Sequence, residues 1–277
     1  MRELFVIGIG AGDPEQVTVQ AIAALRQVDV FVVADKGAAK DDLVALRTEI
    51  CGRYIPGGDY RIVEVTDPER ERGPVGTDRQ YEDVVVDWHE RRAARYEEVL
   101  LAELAPGDNI GFLVWGDPAL YDSTIRVVER LQARGALDFR YTVIPAISSV
   151  QALAAAHRIV LNRIGEPIHI TTGRRLRGGL PAGQDNVVVM LDGDLVCRTF
   201  TDPGLEIYWG AYLGTPDEML VAGPLAEVIG EIERLRTDAR ARKGWIMDTY
   251  LLRRPPAVPP SPSGPGAGGP GSTTGTG

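Results

Sequence analysis

The stretch that decides the fold is GFLVWGDPALYDST, residues 111–124. Its apolar start, residues 112–114, is typical of a buried strand, and the run breaks at once into Trp-Gly-Asp-Pro at residues 115–118. Gly, Asp and Pro also build ordinary turns, so the segment by itself allows two interpretations, a plain turn or a binding edge. The choice depends on whether other strand ends of the same sheet carry similar residues.

Two further segments have the same form. GIGAGDP at residues 8–14 ends the apolar run 4–9, and PAISSVQAL at residues 145–153 follows the apolar run 141–144. The carboxyl ends of parallel strands lie on one edge of a sheet, where ligands bind in α/β proteins. Three strand ends rich in Gly, Asp and Ser therefore predict a cleft along that edge.

The first half of the chain alternates strand-like and helix-like segments, which predicts a mostly parallel sheet covered on both faces. We expect strands at residues 4–9, 30–34, 61–65, 110–114 and 141–144. We expect helices at residues 19–28 with Thr18 as the cap, and at 42–50, 78–104, 124–134 and 148–157. The charge-rich part of the longest helix, HERRAARYEE at residues 89–98, is interpreted as a solvated face with i,i+4 ion pairs.

The second half has more strands than helices, which predicts antiparallel or mixed pairing. Strand candidates are residues 168–171, 187–191, 205–213, 219–222 and 245–252, with one clear helix at 225–236. The fold class is therefore α/β in two domains: residues 1–145 with a parallel-rich sheet and residues 146–254 with a mixed sheet, separated by a cleft. NRIGEP, residues 162–167, is another place for the junction. Residues 255–277 are almost wholly Pro, Gly, Ser, Thr and Ala, and we expect a disordered tail.

Composition excludes several classes of protein. The net charge of −9 argues against a nucleic-acid partner, although a local arginine cluster can still bind an acidic small molecule. Cys51 and Cys197 have no paired spacing and the three histidines are scattered, so we expect unbridged core thiols and no metal site. No apolar run approaches the roughly 20 residues of a membrane helix, and the N-terminus lacks a signal-peptide pattern. We expect a cytoplasmic protein without a membrane partner.

GIGAGDP also allows a nicotinamide-dependent dehydrogenase, since glycine-rich strand ends bind dinucleotides. The spacing is G-x-G-x-G instead of G-x-G-x-x-G, and Asp13-Pro14 follows where a helix N-terminus should face the pyrophosphate. A carboxylate at that point repels phosphate. The dehydrogenase is therefore the weaker alternative, and a non-catalytic binding module is a third.

The order of GIGAGDPE, WGDPALYDST, PAISSVQALAA and TTGRR resembles the tetrapyrrole methylases of corrin and sirohaem biosynthesis. The resemblance runs over about residues 1–252 and implies two α/β domains that bind S-adenosylmethionine in the cleft between them, usually as a homodimer. FVVADKG at residues 31–37 and the variant WGDPALYDST are most similar to members that methylate C-1 of precorrin-5 in cobalamin biosynthesis and release acetate. The alternative within the family is a precorrin or uroporphyrinogen C-methyltransferase without deacetylation.

The resemblance also implies roles for individual residues. Matched to the family's cofactor contacts are Ala11, Trp115, Gly116, Asp117, Leu120, Ser148, Ser149, Leu191 and Gly223. For the deacetylation we expect Asp35, Lys36 and Tyr121 to be catalytic, although Asp35-Lys36 can also be a plain surface turn. Substrate contacts are expected from Gly10, Asp13, Asp122, Arg174, Arg175 and Arg177. The three arginines suit a carboxylate-rich substrate, because a guanidinium binds a carboxylate bidentately, and the alternative is a solvated loop.

Overall fold

The computed structural model describes residues 1–35, 41–69 and 78–254. Lys36 and the expected disordered tail, residues 255–277, lie outside the described residues. Within the described part, two five-stranded sheets carry the chain. They correspond to the two predicted halves of the sequence.

The first sheet is entirely parallel, as the alternating pattern predicted. Its strands are β1 Arg2–Gly8, β2 Val30–Asp35, β3 Arg61–Thr66, β4 Ile110–Val114 and β5 Phe139–Ile144. Their order is β3-β2-β4-β1-β5, with β4 and β1 inside the sheet and buried almost throughout. Because all four pairings are parallel, the carboxyl ends of all five strands lie on one edge.

Four helices cover this sheet: α1 Val19–Leu25, α2 Asp41–Tyr54, α3 Asp78–Glu103 and α4 Thr124–Arg134. Thr18 caps α1 as predicted, since its Oγ1 accepts a hydrogen bond from the Ala21 N–H at 3.1 Å. The helix ends three residues before Val28 because the N–H of Val28 bonds to the Leu25 carbonyl, a tighter i→i−3 turn.

The prediction of a solvated charged face on α3 was wrong for one side of the helix. His89, Arg92 and Tyr96 are buried, and the ring of Tyr96 lies 5.8 Å from that of Phe112 on β4. Their i, i+3, i+7 spacing places them on one stripe against the sheet. The Arg95–Glu98 pair faces solvent as expected, whereas Glu97 is mostly buried against Arg134.

The second sheet is mixed, also as predicted. Its strands are β6 His169–Thr172, β7 Asn186–Met190, β8 Glu206–Ala211, β9 Met219–Pro224 and β10 Asp248–Arg253. Their order is β6-β7-β10-β8-β9, with β6 and β7 parallel and the other pairs antiparallel. Its helices are α5 Ser149–His157, α6 Gly173–Leu176 and α7 Leu225–Lys243.

Three element boundaries in this half differ from prediction. Strand β8 stops at Ala211 because Tyr212 takes a positive φ of 50°. Helix α7 continues to Lys243 and ends at Gly244, whose φ of 73° is the left-handed cap that glycine favours. Strand β10 begins only at Asp248.

Helix α5 fills the space between the sheets. Val150 and Leu153 are buried in a cluster with Val188 of β7, Leu251 of β10 and Ala11 from the loop after β1. The shared cluster joins the binding edge of the first sheet to one face of the second. No helix in the described part of the chain is long and apolar enough to cross a bilayer.

Candidate functional site

The loops after β1 and β4 meet directly. The N–H of Gly116 donates to the carbonyl of Gly10 at 2.8 Å, which makes an isolated antiparallel bridge between the two loops. Both glycines have positive φ, 85° at Gly10 and 72° at Gly116, a region that other residues seldom adopt. Two of the predicted site glycines are therefore adjacent.

Asp117 ties this pair of loops to a third. Its Oδ1 accepts the Ala119 N–H at 2.8 Å, and its Oδ2 accepts the Ala146 N–H after β5, also at 2.8 Å. Both oxygens thus accept hydrogen bonds from backbone N–H groups, whereas the family resemblance implied direct bonds to the cofactor. The acid shapes the binding edge, and direct contact with a cofactor stays a prediction.

The helix that follows β5 begins with the two predicted serines. Ser148 is buried and caps α5 through a capping box with Gln151. Ser149 turns the other way, and its Oγ lies 2.9 Å from Oγ1 of Thr249 on β10. Ser148 therefore orders the helix start, while Ser149 joins that start to β10 of the second sheet.

The loop after β1 packs against the loop after β8. A Cβ on Gly12 would lie 2.5 Å from the carbonyl oxygen of Leu213, and one on Gly214 would lie 2.9 Å from the backbone N of Asp13. Only glycine permits so close a backbone approach. This contact brings the edge of the first sheet to the second sheet.

A cavity of about 540 Å³ opens where these loops meet. Among the predicted site residues, Ala11, Asp13, Trp115 and Ser149 line it. Its far wall comes from the second sheet, chiefly Tyr212, Leu213, Thr215, Trp245, Met247 and Thr249. The volume suits a small organic molecule.

The cavity wall combines carboxylates with aromatic rings. Asp13, Glu49 and Asp217 line it. Among the lining residues that the structure describes the one cation is Lys243, which pairs with Asp217 at 2.7 Å. The rings of Tyr212 and Trp245 meet edge to face at 5.1 Å. Burial raises the pKa of Tyr212, so its hydroxyl stays protonated and donates to the Trp245 carbonyl at 2.6 Å. This wall favours a ligand with positive charge.

Strained backbone is concentrated on the strand-end loops. Among the described residues, five that are not glycine have positive φ. Three of them lie in loops that follow strands: Tyr121 after β4, Leu191 after β7 and Tyr212 after β8. Such conformations cost about 1–3 kcal/mol each and cluster at functional sites. The sequence had selected Tyr121 and Leu191 but not Tyr212.

Tyr121 reaches across to the second sheet. Its hydroxyl donates to the carbonyl of Ile170 on the edge strand β6 at 3.2 Å, although the side chain is nearly half exposed. Burial of the rest of the ring raises the pKa of Tyr121, so the group is a proton donor at neutral pH. Arg175 lines a shallow cavity of about 330 Å³ beside the same Ile170.

The three arginines after β6 lie in and after a short helix, α6, where the sequence allowed a loop. Arg174, Arg175 and Arg177 are exposed at the carboxyl end of β6. Arg177 already forms an exposed ion pair with Asp194. Arg174 and Arg175 lie in the same exposed segment, and a contact with substrate stays a prediction.

Leu191 and Gly223 fall at different places on the second sheet. Leu191 follows β7 and lines a cavity of about 220 Å³ with Trp245 and Met247, close to the larger cavity. Gly223 pairs with Ile207, four residues along β8 from Ala211 at the cavity edge. At about 3.4 Å per residue this is more than 13 Å, so the structure does not bring Gly223 into the group.

Near Leu191, a buried arginine joins the loop after β7 to the start of β10. Arg236 of α7 forms an ion pair with Asp248 and donates to the carbonyls of Asp192 at 2.8 Å and Gly193 at 3.0 Å. Asp248 also accepts the Trp209 indole N–H at 2.7 Å. The network fixes the ends of β7 and the start of β10.

Asp122 and Ser123 share the start of α4. Asp122 Oδ1 accepts the Thr124 N–H at 2.6 Å, while Ser123, the N-cap residue, makes no capping bond and instead accepts from Arg92 Nη1 at 2.8 Å. Asp122 is thus partly committed to the helix, and a contact with substrate stays a prediction. Asp35 ends β2 on the same edge, and its side chain lies outside what is described.

Sequence reasoning missed the second-sheet wall and the buried arginines. The loop after β8 reads Tyr-Leu-Gly-Thr-Pro at residues 212–216, which is the same strand-end chemistry as the three selected loops. That likeness could have identified it. Nothing in the local sequence separates Arg92 or Arg236 from the solvated arginines of the same helices.

Comparison with known proteins gives consistent matches. A model of the family Tetrapyrrole (Corrin/Porphyrin) Methylases matches residues 3–229. A precorrin-6A synthase [deacetylating] of Sinorhizobium sp is 51% identical over 92% of this chain and 96% of that protein. The structure of a cobalamin synthesis related protein from Corynebacterium diphtheriae has a TM-score of 0.78 and 40% identity, covering 92% of this chain and 99% of the other. Uroporphyrin-III C-methyltransferase of Thermus thermophilus, solved with S-adenosylhomocysteine, shares the fold with a TM-score of 0.54 and 19% identity over 91% of this chain and 92% of its own.

Proposed function

The chain belongs to the tetrapyrrole (corrin/porphyrin) methylases, and from this membership we propose that it methylates C-1 of precorrin-5 and releases acetate to give precorrin-6A in cobalamin biosynthesis. It is a methyltransferase, and the relative that is 51% identical to it over 92% of this chain and 96% of that protein bears the name of this activity. The observation that carries the proposal is the cavity built from the predicted strand ends of the first sheet and the facing loops of the second.

S-adenosylmethionine fits the chemistry of that cavity. The cofactor carries a sulfonium and an ammonium group, and the wall offers Asp13 and Glu49 as carboxylates beside the rings of Trp115 and Tyr212. Ser149 and Thr249 add hydroxyls that bond polar atoms. The carboxylates of the same wall repel a pyrophosphate. In addition, the loop after β1 leads into a short 3-10 helix capped by Asp13, whereas dinucleotide binding at this position requires the N-terminus of an α-helix. A dehydrogenase is therefore disfavoured.

The cofactor supplies an activated methyl group, and the nucleophile is an electron-rich carbon of the macrocycle. The protein's task is to hold that carbon in line with the methyl group and to exclude water. Positioning of this kind supplies roughly 7–11 kcal/mol. The loops joined by Asp117 and by Gly10–Gly116 give the required rigidity.

Deacetylation places a second demand on the site. The oxygen of a water molecule bonds to the acyl carbon while a base takes a proton from the water, and the bond from the acyl carbon to the macrocycle then breaks, so that the acyl group leaves as acetate. The electron pair stays on the macrocycle, where it would form the bond to the methyl group that the cofactor supplies, and no proton is added in its place. We assign the proton acceptor to Asp35 with Lys36. We assign to Tyr121, whose raised pKa keeps its hydroxyl protonated, a hydrogen bond to the acyl oxygen as negative charge develops there. Arg174 and Arg175 at the carboxyl end of β6 are the proposed partners of the substrate carboxylates.

We further propose that the chain acts as a homodimer in the cytoplasm, on a small-molecule tetrapyrrole and without a nucleic-acid partner. The family resemblance and the net charge of −9 support these assignments. Size-exclusion chromatography with light scattering tests the dimer, and a mass near 60 kDa, about twice the 30.0 kDa of the chain, is expected.

Ligand-dependent melting distinguishes the functional classes. S-adenosylmethionine and S-adenosylhomocysteine should raise the melting temperature, and NAD should not. The reverse result would point to a dehydrogenase. Stabilisation by S-adenosylhomocysteine without turnover of any precorrin would point to a binding module.

A further inference from the structure

Arg92 is the most completely paired buried charge near the binding edge of the first sheet. Its Nε donates to Asp67 Oδ1 at 2.7 Å, its Nη2 to the Tyr96 hydroxyl at 3.0 Å, and its guanidinium lies 4.7 Å from the ring centre of Trp88. Burial lowers the pKa of Arg92, but Tyr96 and Asp67 outweigh it and hold the pKa above its usual value. The residue is a fixed cation at every relevant pH.

The third hydrogen bond of Arg92 is the one that bears on function. Its Nη1 donates to Ser123 Oγ at 2.8 Å. Ser123 is the N-cap of α4, a position where a serine hydroxyl normally accepts from the helix backbone, and here it does not. Its hydroxyl oxygen accepts from Arg92 instead, and Asp122 separately accepts the N–H of the first helical residue, Thr124.

The loop between β4 and α4 is therefore held at both ends. Asp117 fixes its start through the Ala146 N–H, and Ser123 fixes its end through Arg92. Between them lies Tyr121, which has a φ of 55° and reaches Ile170 on the second sheet. A strained residue keeps such a conformation only where its surroundings over-determine it.

We propose that Arg92 is a positioning residue: through its hydrogen bond to Ser123 it sets Tyr121 and Asp122 at the substrate side of the cleft. Arg92 is buried and does not touch substrate. This inference rests on the proposed function, since it assigns the end of the loop, Tyr121 and Asp122, to the tetrapyrrole and not to the cofactor. It also gives a role to the charged segment of α3, residues 89–98, which was predicted from the sequence to be a solvated face.

The test compares Ser123→Ala, Arg92→Lys and the double variant with the wild type, using methyl transfer to precorrin-5, acetate release and affinity for S-adenosylhomocysteine. Ser123→Ala removes the hydroxyl without removing a helix cap, so it should lower the melting temperature only by the loss of one hydrogen bond to Arg92, and by less than Arg92→Lys does. We expect acetate release to fall about tenfold in kcat, because small misplacements of reacting groups cost one to two orders of magnitude. Affinity for S-adenosylhomocysteine should stay within about twofold.

Non-additivity separates this role from general stabilisation. Once Ser123 is alanine, Arg92→Lys should cause little further loss of kcat, because both changes break one link. Arg95→Gln, on the exposed side of the same helix, is the matched control and should behave as wild type. The proposal is overturned if Ser123→Ala keeps wild-type kcat, or if kcat and cofactor affinity fall together. A wild-type protein that transfers no methyl group would refute the proposed function instead.

Discussion

The carboxylate of Asp117 bonds to the backbone N–H of Ala146 at 2.8 Å and so links the ends of β4 and β5, which are not neighbours in the sheet. Strand β1 lies between them, and its own loop is joined to the first by the Gly10–Gly116 bridge. The Gly-Asp-Pro turn therefore fastens three strand ends into one edge. The two interpretations of this segment, a turn and part of a binding edge, therefore both apply to the same residues.

Replacing Asp117 should weaken both the fold and the cofactor site. Asp117→Ala removes the bonds to Ala119 and Ala146 and leaves two backbone donors without a partner, so we expect a loss of about 1–3 kcal/mol in the free energy of unfolding. Calorimetric titration should also show weaker binding of S-adenosylhomocysteine. Asp202→Ala, in a surface turn remote from the cavity, is the control, and it should leave that affinity unchanged. Unchanged affinity in Asp117→Ala would refute the assigned role.

Gly12 tests the contact between the loops after β1 and β8. An alanine there would place its Cβ 2.5 Å from the Leu213 carbonyl oxygen, and its φ of 156° disfavours any side chain. We expect Gly12→Ala to separate the loops, to cost about 1–3 kcal/mol of stability and to abolish the rise in melting temperature with S-adenosylhomocysteine. Gly230→Ala is the opposite case, because Gly230 is helical with open space at its Cβ position. That variant should gain about 0.5–1 kcal/mol with unchanged ligand affinity.

The ion pair of Arg236 and Asp248 should be essential to the second sheet. Arg236→Met leaves Asp248 buried and uncompensated, which typically costs about 3–5 kcal/mol. Urea unfolding should show the loss as a lower midpoint with the same slope. Arg234 lies two residues before Arg236, on another face of α7, and forms an exposed ion pair with Asp238. Arg234→Gln should stay within about 0.5 kcal/mol of wild type. Equal stability of the two variants would contradict the structure.

Both thiols should lower stability at alkaline pH. Burial raises the pKa of Cys51 to about 11 and that of Cys197 to about 12, from an ordinary value of 9.0. Between pH 9 and 11 an unfolded thiol ionises and a folded one does not, so the unfolded state binds fewer protons and stability falls as pH rises. Thermal unfolding from pH 8 to 10.5 should show this slope, reduced in Cys51→Ala and Cys197→Ala. In the native state at pH 8 neither thiol should react with an aromatic disulfide reagent, and rapid reaction of either would show that it is exposed.

The sequence predicts the architecture well because each signal is local. Strand ends marked by Gly, Asp and Ser, and helix caps such as Thr18 and Ser148, are set by neighbours within four residues. The parallel direction of the strands in the first sheet then follows from strand–helix alternation.

Long-range relationships escape such reasoning. Arg92 and Arg236 are buried because of the helices and loops that pack over them, and their sequence neighbours are solvated arginines. The role of Asp117 depends on Ala146, 29 residues away. Leu213 and Met247 join the cavity only because antiparallel strands return to the same sheet edge. Gly223 was matched to a cofactor contact by the family resemblance, and the register of β9 places it away from the cavity.

The central claim is methylation at C-1 coupled to loss of acetate, and one incubation tests it. The full-length protein is mixed with precorrin-5 and S-adenosylmethionine carrying a ¹³C methyl group, and the product and released acids are followed by NMR. We expect one labelled methyl group at C-1 and one equivalent of unlabelled acetate per turnover. A labelled product that retains its acyl group, or a methyl group on another ring carbon, would contradict it.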